Sequence, residues 1–264
     1  FLAAKITDLT GRNFIIANLL CVSVSILGIY CSKQIKAFPK EKSRPTSQDY
    51  LPPAQNFREL IYSIHRTLLM KTCLVASGYF MFMGGFVQMN IIPFAIQHLG
   101  GSDTLGGYLF LVMSLGIGLG SGLVGRFSKS SIPLSLAPIG GYGVSICCFL
   151  VYFFAHNIYI IGILLILLGF FGGIYTVPVN TYVQISSSPE ERGRNVSIGN
   201  FLSFLGVLIA SAFVWLCNVA FHYTPAQSFL IMGLVTGGFS TFLMIRFKSK
   251  KKALQSTVVK KNHI

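Results

Sequence analysis

Seven apolar runs dominate this chain: about Asn13 to Cys31, Cys73 to Ile96, Tyr108 to Val124, Ile132 to Ala155, Ile158 to Val183, Val196 to Ala220 and Ser228 to Ile245. A hydrocarbon core about 30 Å thick takes about 20 helical residues at roughly 1.5 Å each, and these runs have that length. They are apolar on every face, whereas a helix on the surface of a water-soluble core keeps a polar side. In lipid each backbone polar group must be satisfied within its own segment, so each run predicts a transmembrane helix. Composition agrees, with 53% of residues hydrophobic and 11% charged. A soluble domain carries roughly 25% charged residues, so a soluble enzyme is excluded.

The formal net charge is +14, from 21 Lys and Arg against seven Asp and Glu. The basic residues lie between the runs, which points to a membrane surface and away from nucleic acid. Nineteen of the 21 fall in the segment after the first run (Lys33 to Lys71), in the loops holding Arg126 and Lys129 and holding Arg192 and Arg194, and in the tail from Arg246. The alternating loops, Leu99 to Leu105, His156 to Asn157 and Phe221 to Ala226, contain none. Lys and Arg collect on the cytoplasmic side, so this pattern predicts a multi-pass protein with a cytoplasmic C-terminus. Lys5 and Arg12 are the two basic residues assigned to the opposite side.

Little in the sequence carries catalysis. Cys21, Cys31, Cys73, Cys147, Cys148 and Cys217 lie in or at the edge of apolar runs without CxxC spacing, and the five histidines form no ligand pattern with a carboxylate. No metal site and no cofactor are expected. All the acidic residues (Asp8, Glu41, Asp49, Glu59, Asp103, Glu190 and Glu191) fall outside the runs, so this chain offers no intramembrane carboxylate for proton coupling. No GxxxxGK[ST] loop is present to cradle nucleotide phosphates. The His98 to Asp103 spacing matches an HxxxxD acyltransferase motif but falls in a short outer turn, and reads as coincidence. The chain starts at Phe1 without a signal-peptide pattern, which reads as the interior of a longer protein.

Residues 32–67 are polar and carry Pro39, Pro45, Pro52 and Pro53, the mark of a linker, with a short amphipathic helix expected around Phe57 to His65. The expected organisation is one transmembrane helix (1–31), a basic cytoplasmic linker (32–67), six transmembrane helices (68–247) and a basic tail (248–264). That order is an all-α transporter of two six-helix halves, cut before its sixth helix. A missing N-terminal half is therefore an expected partner.

Two strings, GIGLGSGLVGRFSKSSIPLSLAPIGGYGVS (Gly116 to Ser145) and LLGFFGGIYTVPVNTYVQISSSPEERGRNVSIGNFLS (Leu167 to Ser203), carry a family likeness, joined by PPAQNFREL and LGGSDTLGGY around the second run. In these strings the chain resembles the lysophospholipid transporter family of the major facilitator superfamily. That family includes stand-alone transporters and domains fused to an acyltransferase and an acyl-carrier-protein ligase that re-esterify lysophospholipid. The resemblance implies a six-helix C-terminal half, a lysophospholipid substrate, contact with membrane lipid and a lipid acyltransferase as a further partner. Many facilitators close the loop between the second and third helices of a half with an Asp-Arg pair. Here Gly125 precedes Arg126, so the acid of that gate is missing.

Neutral polar residues inside the runs are the substrate-binding candidates: Gln88 and Asn90 just before Pro93, Asn180 and Gln184 one turn apart beyond Pro178, and Asn200. An amide binds a zwitterionic or glycerol headgroup without fixed charge; the competing use of each is a hydrogen bond between helices. Arg126 and the SPEERGR residues Glu190, Glu191, Arg192 and Arg194 are gating candidates, read as a loop whose charges pair at the water interface. Asn195 heads an Asn-Val-Ser sequon, which means nothing on a cytoplasmic face. Gly116, Gly118, Gly120 and Gly122, in two registers four residues apart, and Gly169, Gly172 and Gly173 are expected at close helix contacts.

Together these features predict a transporter moving lysophospholipid across the bacterial inner membrane for reacylation. Two other readings remain open: an exporter of drugs or other amphiphiles, and a non-transporting scaffold for a lipid acyltransferase.

Overall fold

The computed structural model describes residues 14–34, 68–127 and 134–261, apart from the side chains of residues 14, 16, 17, 127, 189–191 and 249–261. The expected amphipathic helix at Phe57 to His65, most of the linker, Lys5, Arg12 and Lys129 lie outside these residues. Seven α-helices and no strand occur among the described residues: α1 (Phe14–Lys33), α2 (Leu68–Leu99), α3 (Asp103–Phe127), α4 (Leu136–Phe153), α5 (Ile158–Ile185), α6 (Pro189–Trp215) and α7 (Pro225–Lys261). A short π-helical segment, Leu216–Ala220, extends α6.

The chain divides into two compact units, Phe1–Tyr62 and Ser63–Ile264. In the first, α1 exposes apolar side chains on all sides, among them Leu19, Val24, Leu27 and Tyr30. The second holds α2 to α7, and six helices there are long and apolar enough to cross a membrane, whereas the apolar stretch Asn18–Lys33 of α1 is shorter. Within the second unit α3 packs along α5, α2 along α6, and α4 against both α5 and α7. Exposed Leu119, Phe204, Leu208 and Leu234 suit contact with lipid.

Helix ends depart from the apolar runs for local reasons. The stretch from Ser188 to Arg194, expected as a loop, is the start of α6. Pro189 stands at the first helical position, where its missing N–H costs nothing, and Glu190 and Glu191 follow at the positive end of the helix dipole. The α5 start is fixed by Asn157, whose side chain accepts from the N–H groups of Tyr159 at 3.1 Å and Ile160 at 3.2 Å. At the α2 end Gly100 takes φ 62°, a left-handed conformation that favours glycine, and the chain turns into α3.

The α3–α5 seam is closed by glycine. A Cβ at Gly116 would overlap the Ile166 carbonyl, one at Gly120 the Phe170 carbonyl, and one at Gly169 the Met113 carbonyl; at Gly173 it would stand 2.6 Å from the Ile117 oxygen. Gly118 and Gly122 do not share this use: a Cβ at either meets nothing within 4 Å. At about 100° per residue, a two-residue offset turns them to the far side of α3, so only one of the two expected registers can face α5. Gly172 makes an ordinary approach, 3.5 Å to the Phe80 ring.

Candidate functional site

Two close approaches bring α2, α5 and α6 together around a polar hollow. The Tyr175 hydroxyl, fully buried on α5, donates to the Ala76 carbonyl of α2 at 2.8 Å. On the other side Gly78 lets the Leu202 carbonyl of α6 approach to 2.8 Å from where a Cβ would stand. Between these contacts a cavity of about 270 Å³ opens, lined by Leu74, Ser77, Phe80 and Met81 of α2, Thr176, Asn180, Val183 and Gln184 of α5, and Val196, Gly199, Asn200 and Ser203 of α6. Its polar groups are three amides and three hydroxyls, and no lining residue is charged.

Asn180 occupies the seam between α2 and α5. The Ser77 hydroxyl donates to its Oδ1 at 3.0 Å, and its Nδ2 donates to Thr176 Oγ1 at 3.1 Å. An amide oxygen has two lone pairs and the nitrogen two protons, so one acceptor site and one N–H remain for a ligand. Pro178 just before it carries no N–H and cannot bond the carbonyl one turn back, which frees a further backbone acceptor. Gln184, one turn away, and Asn200 across on α6 are both exposed to the hollow's solvent side. This arrangement can bind a hydrogen-bonding group against apolar surface, and its lining holds no general base to activate the three hydroxyls.

The structure thus brings together Asn180, Gln184 and Asn200 from the sequence candidates and leaves Gln88 and Asn90 elsewhere. Gln88 is exposed, 11 positions beyond Ser77 on α2, and so about 16 Å further along the helix. Asn90 is fully buried and its Nδ2 donates to the Pro225 carbonyl at the start of α7, at 2.9 Å, while its Oδ1 has no partner. It joins two helices, the competing use open to every intramembrane amide. Ser77, Thr176 and Ser203 escaped sequence reasoning, although Thr176 stands one turn before Asn180 and so on the same face.

Of the gating candidates, Arg126 is exposed at the end of α3, and Arg192 and Arg194 are exposed in the first turns of α6. The side chains of Glu190 and Glu191 lie outside the described residues. Asn195, the sequon residue, is buried and donates from Nδ2 to Ser187 Oγ at 2.9 Å, and Ser187 in turn bonds the Val183 carbonyl. That chain of bonds ties the start of α6 to the end of α5 beside the cavity.

The family profile described as Major Facilitator Superfamily matches residues 3–262. No curated protein and no solved structure matches the chain. With the match running nearly end to end over a unit of six membrane-length helices, the chain belongs to the major facilitator superfamily of membrane transporters.

Proposed function

We propose that this chain forms the cargo-binding half of a transporter that carries lysophospholipid, of the 2-acyl-glycerophosphoethanolamine type, across the bacterial inner membrane for reacylation on the cytoplasmic side. In this reading residues 1–31 end a preceding half, 32–67 are a cytoplasmic linker, 68–247 the six-helix half, and 248–264 a cytoplasmic tail that carries on α7 as far as Lys261. The observation that carries the proposal is the lining of the α2–α5–α6 cavity: Asn180, Gln184, Asn200, Ser77, Thr176 and Ser203 among Leu74, Phe80, Met81, Val183 and Val196. A single-chain phospholipid needs hydrogen bonds for its glycerol and headgroup while its acyl chain stays on apolar surface, and this lining offers both. Transport would follow from rocking of two halves around the cavity. Arg126 and the charged start of α6 would gate its basic end, where the missing acid before Arg126 weakens any ion pair.

Uptake of radiolabelled lysophosphatidylethanolamine by cells expressing the protein tests this reading. Saturable uptake competed by unlabelled lysolipid supports it. Export of a cationic dye without lysolipid uptake would favour the amphiphile exporter, and binding of an acyltransferase without either flux would favour the scaffold.

A further inference from the structure

At the end of the bundle opposite the basic one, two imidazoles meet from different elements. His98 stands in the last turn of α2 and His156 in the turn between α4 and α5, with ring centroids 5.9 Å apart and planes at 61°. The His98 ring is held by its own helix: it stacks on Phe94, one turn earlier, with centroids 5.1 Å apart and planes 12° from parallel. Its Nδ1 is buried and has no hydrogen-bond partner. His156 is exposed, so its ring has room to turn. Each ring follows the C-terminal end of a helix, where unpaired carbonyls favour a cation, and the α5 start beside His156 is already capped by Asn157. The loops at this end, Leu99 to Leu105, His156 to Asn157 and Phe221 to Ala226, hold no Lys or Arg, and Asp103 is their one acidic residue.

We infer that His98 and His156 bind a divalent transition-metal ion of the zinc class, which ties the end of α2 to the α4–α5 turn. An imidazole nitrogen ligates zinc at about 2.0–2.1 Å and lies about 1.1 Å from its ring centre, so two rings can share an ion with centres up to about 6.3 Å apart, or about 5 Å at the tetrahedral angle. The observed 5.9 Å falls between these limits, and turning of the exposed His156 ring closes the remainder. Imidazole suits Zn2+, Ni2+ and Cu2+, whereas Mg2+ and Ca2+ take oxygen ligands. Among the described residues no third His, Cys, Asp or Glu side chain joins the pair, so water completes the coordination and binding is reversible. The site is separate from the cargo cavity, because His98 stands about 25 Å further along α2 than the lining residue Met81. Its effect is that of a clamp between two helix ends, whatever the cargo is.

Calorimetric titration of the purified protein, free of any histidine tag and in mild detergent, with zinc chloride tests this. One ion should bind per chain, and magnesium should not compete with it. His98→Gln and His156→Gln should each weaken binding by about 10-fold or more, whereas His222→Gln, at another exposed histidine of the same end, should stay within about 2-fold. Lowering the solution from about pH 7.5 to about pH 5.5 should weaken binding by about 10-fold or more, because protons compete for imidazole nitrogens in that range. Saturating zinc should also slow amide exchange at Gln97 to Gly101 and at Ala155 to Ile158, and should not do so in the His156 variant. Circular dichroism checks that each variant is folded, and His156→Gln, which alters an exposed ring, decides the matter if His98→Gln disturbs the end of α2. No zinc binding to the unaltered protein, affinity retained in the His156 variant, or an equal loss in the His222 variant overturns the inference. Binding that leaves exchange at both segments unchanged overturns the clamp.

Discussion

Alanine in place of Gly120 and of Gly118 should have opposite effects on stability, although the two glycines are one half-turn apart on the same helix. A methyl at Gly120 would overlap the Phe170 carbonyl oxygen and lie 2.9 Å and 3.0 Å from the carbonyl carbon and Cα of that residue. Carbon atoms prefer about 3.5–4.0 Å, and the obstacle is backbone on both sides, so α3 and α5 must part by at least about 0.6 Å. A gap of that size forfeits about a quarter of each contact along the seam, and overpacking of this kind costs about 1–3 kcal/mol. The better helix propensity of Ala returns at most about 1 kcal/mol. Gly120→Ala should therefore lose roughly 1–2 kcal/mol, about 5- to 30-fold in the folded-to-unfolded ratio. Gly118→Ala meets nothing within 4 Å and should be neutral or stabilised by the propensity term. Unfolding of the purified protein in a mild detergent by added dodecyl sulfate, followed by circular dichroism, measures both. Equal destabilisation by the two substitutions, or a stable Gly120→Ala, would refute the assignment of this register to the α3–α5 contact.

Further outcomes follow from the same geometry. Asn90→Leu removes the bond to the Pro225 carbonyl and should lower stability by about 0.6–2 kcal/mol in the same unfolding assay without changing lysolipid affinity, since Asn90 lies outside the cavity. Asn195→Ala breaks the link to Ser187 and should loosen the start of α6, read as faster amide hydrogen exchange over Arg192 to Ile198 than in the unaltered protein. Cysteines introduced at Ser102 and Thr224 should react with an impermeant maleimide added outside intact cells, and one at Ser188 should not; the reverse pattern would invert the proposed orientation.

The membrane-length helices were legible because lipid leaves an apolar chain no alternative, and length with composition suffices to find them. Their ends were less so. The start of α2 lies at Leu68, five positions before the apolar run at Cys73, and α6 begins at Pro189, a residue suited to the first helical position, seven positions before its apolar run at Val196. Helix phase was harder still. The glycine spacing announces a close contact without saying which side of α3 meets α5, and Gly118 and Gly122 show that the period alone leaves this open. Among the amides, Asn180 and Asn90 look alike in sequence, each near a proline within an apolar run. What separates them is tertiary: Asn90 is fully buried against the carbonyl at the start of α7, whereas Asn180 is exposed and lines the hollow between α2, α5 and α6.

The most direct test of the account is lysophosphatidylethanolamine flux in proteoliposomes with Asn180→Leu/Gln184→Leu, the chain being reconstituted together with the N-terminal half that rocking requires. Leucine is favourable in the bilayer, so insertion should persist, while the loss of hydrogen bonds to the cargo should lower apparent affinity by about 5-fold to 150-fold, equivalent to about 1–3 kcal/mol. A well-folded double variant with flux and affinity equal to those of the unaltered protein would show that these amides only join helices and that the lysolipid site lies elsewhere.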